Sequence, residues 1–272
     1  MKGAKGTLWL VPNALDLGAE PVPLDEVLPL AVIRRAATLA HWVVEDARSA
    51  RAFLKRVHAL VPLAQPLQSL HLRELPPPAK GKARGEARTA GHATLPAPLQ
   101  AMHGPLAPDG QPLLAPALAG HDLGLLSEAG LPAVADPGAA LVAAAHAAGV
   151  PVQPLPGASA LALALAASGL EGQQFAFVGY LPQDAGARSA RLRELEARSR
   201  QLGQTQICIE TPYRNAALLG AMLAAFAPGT RLAVSCGLTL PGGWSRMQTV
   251  SAWRRAPPEL PERTPAVFAW LA

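Results

Sequence analysis

The sequence predicts an α/β protein made of two domains. Through the first half of the chain, short strand-like runs alternate with helix-like runs, which is typical of a largely parallel sheet covered by helices. Near the C-terminus, three strand-like runs follow one another without a long helix between them, which favours a mixed sheet. The 272 residues, half of them apolar, can bury a substantial core. We expect an N-terminal domain over 1–157 and a C-terminal domain over 158–272.

Strands and helices alternate in the predicted N-terminal domain. The strands are expected at 6–12, 41–46, 69–75, 121–128 and 151–156, and the helices at 29–39, 47–60, 111–120 and 140–149. Pro29 suits the first turn of its helix, and Gly149 suits the end of the last one. Residues of about 76–108 are rich in Pro, Gly and basic side chains and predict a mobile loop.

The predicted C-terminal domain begins with a helix of small residues and leucine at 158–169, whose narrow surface allows close backbone approach. Five β-rich runs follow, with helices only between the earlier ones. The strands are expected at 175–182, 205–211, 231–239, 247–253 and 265–272, and the helices at 186–202 and 214–226.

Composition limits the class of protein. The formal charge of +5, from 24 basic and 19 acidic residues, permits a polyanionic partner without demanding one. The apolar runs are shorter than the roughly 20 residues of a membrane span, and no signal-peptide core is evident, so we expect a cytoplasmic protein. Cys208 and Cys236 lie in apolar runs and predict buried thiols. The histidines lack metal-ligand spacing, so we predict no metal.

The stretch LLSEAGLPAVADPG (125–138) joins a strand to a helix through a turn of small residues. Ligands of open parallel sheets usually bind at such junctions, beyond the carboxyl ends of the strands. Gly130 and Gly138 let backbone groups come close to a ligand, and Pro132 and Pro137 stiffen the turn. Taken singly, each of these residues fits a turn without a ligand equally well. The dinucleotide and P-loop glycine fingerprints are absent from the sequence.

Seven segments in order give the chain a family resemblance. They are GTLWLVP, VEDARSAR, LLSEAGLPAVADPG, PLPGASA, FVGYLP, IETPYRN and CGLTLP, and they cover most of the chain except 62–120. The chain resembles the tetrapyrrole methylases, the class III S-adenosylmethionine-dependent methyltransferases, and within them most the branch of bacterial 16S rRNA cytidine 2′-O-methyltransferases. The resemblance implies two α/β domains, S-adenosylmethionine in the cleft between them, an RNA acceptor and a homodimer.

The resemblance also implies a set of cofactor-binding residues at strand ends and loops. Pro12 would border the cofactor, the loop from Glu128 would wrap around it, and residues after later strands would reach its ribose and adenine. The implied set is Pro12, Glu128, Ala129, Gly130, Ala133, Ser159, Ala160, Glu210 and Gly237.

Methyl transfer to a ribose hydroxyl would gain from a nearby base. In the segment that resembles the family's E-D-x-R stretch, Asp46 is the candidate for a base or an orienting group, although capping of the following helix explains it as well. Glu45 and Arg48 are candidates for substrate contact. Arg214 would either bind a phosphate or hold Glu210, and the sequence leaves both roles open.

Three functions remain open at this point. The chain departs from the family's usual residues at Glu128, Leu131 and Leu240, and VPNALDLG lacks the family's usual pattern after the first strand. An RNA methyltransferase is expected first. A methyltransferase acting on a tetrapyrrole or another small molecule, and a protein that binds S-adenosylmethionine without transferring its methyl group, are the alternatives.

Overall fold

The computed structural model describes residues 4–16, 20–76, 105–107 and 112–272. The chain divides into two compact units: among the described residues, unit 1 comprises 4–16, 21–76, 105–107 and 112–158, and unit 2 comprises Glu20 and 159–272. The loop expected at 76–108 lies almost entirely outside the described residues.

Unit 1 contains a parallel five-stranded sheet in the order β3-β2-β4-β1-β5. Its strands are Leu8–Val11 (β1), His41–Val44 (β2), His71–Glu74 (β3), Leu123–Leu126 (β4) and Val152–Pro154 (β5). Its helices are Leu24–Val27 (α1), Leu30–Thr38 (α2), Ala47–Leu60 (α3), Ala115–Leu118 (α4) and Ala139–Ala147 (α5). A short 3₁₀ turn spans Leu67–Ser69. The predicted parallel sheet is confirmed, whereas α1 was not predicted from the sequence.

The alternation of side chains along each strand divides the core of unit 1 between the two faces of the sheet. Trp42 and Val44 of β2 pack in one cluster with buried residues of α2 and α3, such as Ile33 and Phe53. Val43, between them in sequence, packs on the opposite face in a cluster that includes residues of α4 and α5. Because both faces are covered, the neighbouring strands β1 and β4 are apolar throughout, as buried parallel strands usually are.

Unit 2 contains a mixed five-stranded sheet in the order β6-β7-β10-β8-β9. Its strands are Phe175–Gly179 (β6), Thr205–Ile209 (β7), Arg231–Cys236 (β8), Trp244–Thr249 (β9) and Ala266–Leu271 (β10). Its helices are Ala160–Ser168 (α6), Ala185–Leu202 (α7), Asn215–Ala225 (α8) and Val250–Arg255 (α9), and Pro212–Arg214 forms a 3₁₀ turn. Strand β10 is antiparallel to both of its neighbours, β9 is antiparallel to β8, and β6 is parallel to β7. The predicted mixed sheet is therefore confirmed.

The sequence prediction of a strand at 247–253 is wrong at its C-terminal end. The strand begins earlier, at Trp244, and the chain turns into helix α9 at Val250. The side chain of Thr249 caps this helix by accepting a hydrogen bond from Ala252 N (3.3 Å), and Val250 and Trp253 share its buried face. Val250 and Trp253 are three residues apart, a spacing that fits one face of a helix. The β-branched residues Thr249 and Val250 made the segment look like a strand in the sequence.

Both cysteines are free and buried, as the sequence predicted. Burial, and secondarily the charge of Glu210, raises the pKa of the Cys208 thiol far above its usual range, so Cys208 stays protonated. Among the described residues, no helix is long and apolar enough to cross a membrane.

Three histidines meet at the amino ends of the strands in unit 1. The ring of His41 is stacked on that of His71, with centroids 4.9 Å apart, and lies 5.1 Å from the ring of His121. Partial burial, and then the nearby His71, His121 and Arg73, lower the pKa of His41 below its usual 6.5. The folded chain therefore favours neutral His41 more than the unfolded chain does.

We predict that the stability of unit 1 falls as the pH drops from about 7.5 to about 5.5, because the unfolded state then binds more protons at His41. His41→Asn should make this fall smaller, whereas His146→Asn, at an exposed helix position, should leave it unchanged. The unfolding temperatures of wild type and of both variants, measured across this pH range, give the comparison. Equal pH dependence of wild type and His41→Asn would contradict the prediction.

Candidate functional site

Three neighbouring strands of unit 1 end at one edge of its sheet. Strands β2, β4 and β1 lie side by side and run parallel, so the residues that follow Val44, Leu126 and Val11 lie at the same edge. These residues include Pro12, Glu45 and the loop 127–138, which the sequence assigned to the site.

Asn13 fastens the loop after β4 to the end of β1. Its Nδ2 donates to the carbonyl oxygens of Glu128 (2.8 Å) and Ser127 (3.3 Å), and its Oδ1 accepts from Ala14 N (2.9 Å). Its backbone N–H and C=O form a bridge with Gly130, at 2.9 and 3.2 Å. Asn13 is only 5% exposed. The sequence analysis missed this residue, and an Asn directly after a buried strand was the signal that could have indicated it.

Glu45 holds the same loop from the other side. One carboxylate oxygen, Oε2, accepts a hydrogen bond from Glu128 N (3.2 Å), while Glu45 N donates to Leu126 O (3.1 Å). The structure thus brings Glu45 and Glu128 together at the ends of β2 and β4. The predicted contact of Glu45 with a substrate remains a prediction.

Asp46 caps helix α3. Its Oδ2 accepts from the backbone N–H groups of Arg48 and Ser49, both at 2.9 Å, which is the capping role that the sequence offered as the alternative. Arg48 is exposed in the first turn of this helix. The catalytic role of Asp46 and the substrate role of Arg48 remain predictions, and a base at Asp46 would have to act while capping.

The loop after β4 has an unusual backbone. Gly130 (φ 66°), Ala133 (φ 66°) and Ala135 (φ 63°) are left-handed, and Gly138 (φ 128°) begins helix α5 with a positive φ. A left-handed residue with a Cβ atom costs roughly 1–2 kcal/mol, so two such alanines within three residues are strained. Strain of this kind persists only where the surroundings enforce it, and it is concentrated at ligand-binding sites.

Pro12 and the turn 156–158 are in close contact. A Cβ atom on Gly157 would lie 2.3 Å from Cβ of Pro12, so only glycine allows this approach. A Cβ atom on Gly130 would lie 3.6 Å from Ala158 O, which places the turn beside the loop after β4. Within unit 1, the structure therefore brings together Pro12, Gly130 and the segment that leads into Ser159.

Ser159 and Ala160 open helix α6 in unit 2. The Ser159 side chain caps the helix by accepting from Ala162 N (3.5 Å), and Ala160 packs against the cluster between α6 and the sheet. Ala129 and Ala133 are half-buried in unit 1. Their predicted contacts with a cofactor are not tested by these positions.

Glu210, directly after β7 in unit 2, is a buried carboxylate held by three groups. Its Oε2 lies 3.0 Å from Nη2 of Arg214, and its Oε1 accepts from the backbone N (2.8 Å) and the hydroxyl (3.3 Å) of Thr211. Of the two roles left open for Arg214, the structure shows the one in which it holds Glu210. A phosphate contact by the same guanidinium remains a prediction.

Gly237 ends β8 with a left-handed conformation (φ 64°) and donates its N–H to Pro265 O (2.9 Å). The segment before β10 is fixed in turn by Asn215, which is fully buried and donates from Nδ2 to Thr264 O (3.1 Å). Asn215 was also missed from the sequence, where it reads only as the start of a helix. Among the described residues, its Oδ1 has no hydrogen-bond partner.

The described ranges contain no group of three or more His, Cys, Asp or Glu side chains placed to hold a metal ion. Taken separately, the strand-end loops of both units present backbone groups, small residues and a few acids. An α/β protein of this kind usually binds its ligands at the carboxyl ends of its strands.

Comparison with known proteins identifies the family. The model of the Tetrapyrrole (Corrin/Porphyrin) Methylases matches residues 32–247, which is more than three quarters of the chain. The chain belongs to this family, and the resemblance seen in the sequence is confirmed.

Two curated relatives and one solved structure illustrate the match. The chain is 48% identical over 105 residues to "Ribosomal RNA small subunit methyltransferase I" of Micromonospora olivasterospora, covering 39% of this chain and 32% of the relative. It is 42% identical over 130 residues to the protein of the same name from Mesorhizobium japonicum, covering 48% and 43%. The aligned segments thus span less than half of these relatives.

The structure of the methyltransferase CobJ is similar over 98% of this chain and 94% of its own, with a TM-score of 0.52 and 17% identity. At this identity the similarity shows the fold alone. It agrees with the two α/β units described above.

Asn13 and Ser127 are neighbouring buried polar residues, and replacing each of them tests whether Asn13 holds the loop after β4 in place. Asn13→Ala should destabilise unit 1 by about 1–3 kcal/mol, because it leaves the buried carbonyl of Ser127 and the partly buried carbonyl of Glu128 without their donor. Ser127→Ala should cost much less or stabilise, because Ser127 Oγ is buried and has no hydrogen-bond partner among the described residues. Denaturant unfolding of both variants gives the comparison. Equal losses would argue against the anchoring role of Asn13.

Proposed function

We propose that this chain is an S-adenosylmethionine-dependent methyltransferase that acts on RNA, of the type that methylates ribose 2′-hydroxyl groups of ribosomal RNA. The observation that carries the proposal is the 42–48% identity to relatives named as methyltransferases of the small-subunit ribosomal RNA. Activity on ribosomal RNA would place the protein in the cytoplasm.

The residues of unit 1 fit a small cofactor held mainly by backbone groups. The loop from Glu128 to Gly138 contains two left-handed alanines, which ordinary turns rarely use, and Gly130 has no side chain to obstruct the approach of a ligand to the backbone. Pro12 and Gly157 add a rigid apolar border. In unit 2, Glu210 and Gly237 are candidates for adenosine contacts. These features support S-adenosylmethionine at the residues assigned to it.

S-adenosylmethionine supplies an activated methyl group for in-line displacement by the acceptor oxygen. The chain's own task is to hold donor and acceptor near contact and aligned, since positioning supplies much of the rate. The hydroxyl proton must also leave, and Asp46 is our candidate base, with Glu45 and Arg48 as candidates for orienting the ribose or its phosphate. Asp46 directly follows Glu45, whose carboxylate accepts a hydrogen bond from the loop after β4.

The family name raises a tetrapyrrole as the alternative acceptor, and a protein that binds the cofactor without transfer is the other alternative. The net charge of +5 favours a polyanion over an acidic tetrapyrrole only weakly, because both are negatively charged. The acceptor therefore has to be identified by assay.

Two glycines allow a matched test of cofactor binding. Gly157→Ala should displace Pro12, lose about 1–3 kcal/mol by overpacking and weaken S-adenosylhomocysteine binding about tenfold or more. Gly172→Ala should bind normally, because nothing lies within 4 Å of its added Cβ atom. Calorimetry measures the affinity. Wild type should also transfer labelled methyl groups to small ribosomal subunits from a strain that lacks the gene.

Three outcomes separate the alternatives. Transfer to a tetrapyrrole panel but not to RNA would favour the small-molecule enzyme. Binding of S-adenosylhomocysteine without transfer to either would favour the non-enzymatic alternative. Absence of binding by wild type would overturn the proposal as a whole.

We further propose a homodimer in which edge strand β6 contributes to the interface. Phe175 and Phe177 lie two residues apart, on one face of this strand, and are 50% and 36% exposed. A neighbouring pair of exposed phenylalanines on an unpaired edge is apolar surface that a second copy would cover.

Light scattering should give wild type twice the chain mass of 28.2 kDa. Replacing both phenylalanines by serine should shift the protein to monomer, because the interface loses its apolar side chains. Leu202→Ser, at a leucine of similar exposure (45%) at the end of α7, is the control and should remain dimeric. A monomeric wild type, or a dimeric double variant, would contradict the proposed interface.

A further inference from the structure

One edge of the sheet in unit 2 collects five chain segments. Strands β6, β7 and β8 end there, and β9 and β10 begin there, because β10 is antiparallel to β7 and β8 and β9 is antiparallel to β8. We call the residues 210–215, 237–244 and 264–265 at this edge the Glu210 edge. It carries both candidate adenosine contacts of unit 2, Glu210 and Gly237.

Tyr213 projects from the Glu210 edge on a rigid support. It is 70% exposed and lies in the 3₁₀ turn Pro212–Arg214. The ion pair between Glu210 and Arg214 spans this turn, and Arg214 N donates to Thr211 O (2.9 Å). An aromatic ring on a fixed backbone needs little ordering to bind a flat partner, so Tyr213 is suited to stacking.

Trp244 and Arg246 form a second flat surface next to Gly237. Trp244 begins β9 and pairs with Cys236, the residue before Gly237. It is half-buried against the core of unit 2, and the guanidinium of the exposed Arg246 lies 5.0 Å from its ring centroid. This cation–π contact positions a planar cation that binds phosphate and stacks on bases.

The separation of the two strand ends that lead to these surfaces suits an extended polymer. Strands β7 and β9 are separated by β10 and β8, so three strand spacings of about 4.8 Å place their ends roughly 14 Å apart. A few unstacked nucleotides can span this distance.

The net charge of unit 2 also favours a nucleic-acid strand as the partner. Residues 159–272 contain eleven arginines, no lysine and seven Asp or Glu, so their net formal charge is +4 of the +5 of the whole chain. Arginine is preferred over lysine where both phosphate binding and stacking are needed. This composition is complementary to an RNA strand with accessible bases.

We propose that Tyr213 and the Trp244–Arg246 pair form a base-stacking surface for single-stranded RNA at the Glu210 edge of unit 2. The inference rests on the proposed function, and it adds the state of the RNA and the residues that bind it. Sequence-specific recognition of RNA uses unpaired bases on aromatic and guanidinium planes, whereas duplex RNA is recognised mainly through its shape and backbone. Stacking is also tolerant of sequence, so this surface would bind unpaired bases of different types.

Binding of a fluorescein-labelled single-stranded RNA, measured by fluorescence anisotropy, tests the surface. Tyr213→Ala should weaken binding about tenfold, the loss expected for one stacked base, and should raise KM for RNA by a similar factor. Tyr213→Phe should retain most of the affinity, because the ring remains. The unfolding temperature of Tyr213→Ala should equal that of wild type, since the side chain is 70% exposed.

Arginine variants provide the second arm of the test. Arg246→Gln should weaken binding and reduce its salt dependence. Arg255→Gln is the matched control and should bind as wild type does, because Arg255 lies beyond the far end of β9 from Trp244. The duplex of the same sequence should bind more weakly and respond little to Tyr213→Ala.

The results separate this inference from the proposed function. If wild type methylates RNA while Tyr213→Ala and Arg246→Gln keep wild-type affinity and KM, the stacking surface is wrong and the function stands. If wild type binds single-stranded RNA through Tyr213 but transfers no methyl group to any RNA, the surface stands and the function is wrong. A wild-type protein that binds no RNA overturns both.

Discussion

The loop after β4 depends on the side chain of Asn13. Two left-handed alanines in this loop cost roughly 1–2 kcal/mol each, which a free turn would relieve by changing conformation. Asn13 makes two hydrogen bonds to the carbonyls of Ser127 and Glu128 and a two-way backbone bridge to Gly130, each contributing on the order of 1 kcal/mol. The hydrogen bonds of Asn13 and the strain of the two alanines are of similar size, so these bonds can retain the strained loop. Asn13 can make them because β1 and β4 are neighbours in the sheet.

In unit 2 a buried asparagine also fixes a strand-end segment, and a buried ion pair fixes a second one. Asn215 fixes the segment before β10, and this segment accepts the N–H of Gly237. Glu210 is buried, and a buried carboxylate is costly unless it is paired and hydrogen-bonded, conditions that Arg214 and Thr211 satisfy. In both units, therefore, a buried polar side chain orders the backbone of a strand-end loop.

The sequence predicted the two kinds of sheet because strand and helix periodicities are local. It predicted the loop at 125–138 from its glycines and prolines and through the family resemblance. It missed Asn13 and Asn215, because an asparagine that joins segments more than 45 residues apart looks the same in sequence as one in an exposed turn. VPNALDLG even looked like a departure from the family pattern, although Asn13 in it anchors the loop. The strand at 247–253 was wrong because β-branched residues concealed a helical spacing.

In the proposed function, backbone groups bind the cofactor and side chains at the strand ends bind the acceptor. A cofactor held by backbone groups of small residues constrains few side chains, because the conformation of the loop, and not its side-chain chemistry, makes the contacts. Side chains on the same strand ends are then free to differ with the acceptor, as binding residues on loops of a rigid scaffold commonly do. Tyr213 illustrates this, since it lies between two residues that hold the turn and is itself 70% exposed. Under the proposed function, a few strand-end side chains adapt this fold to an RNA acceptor, without rebuilding the loop that Asn13 holds.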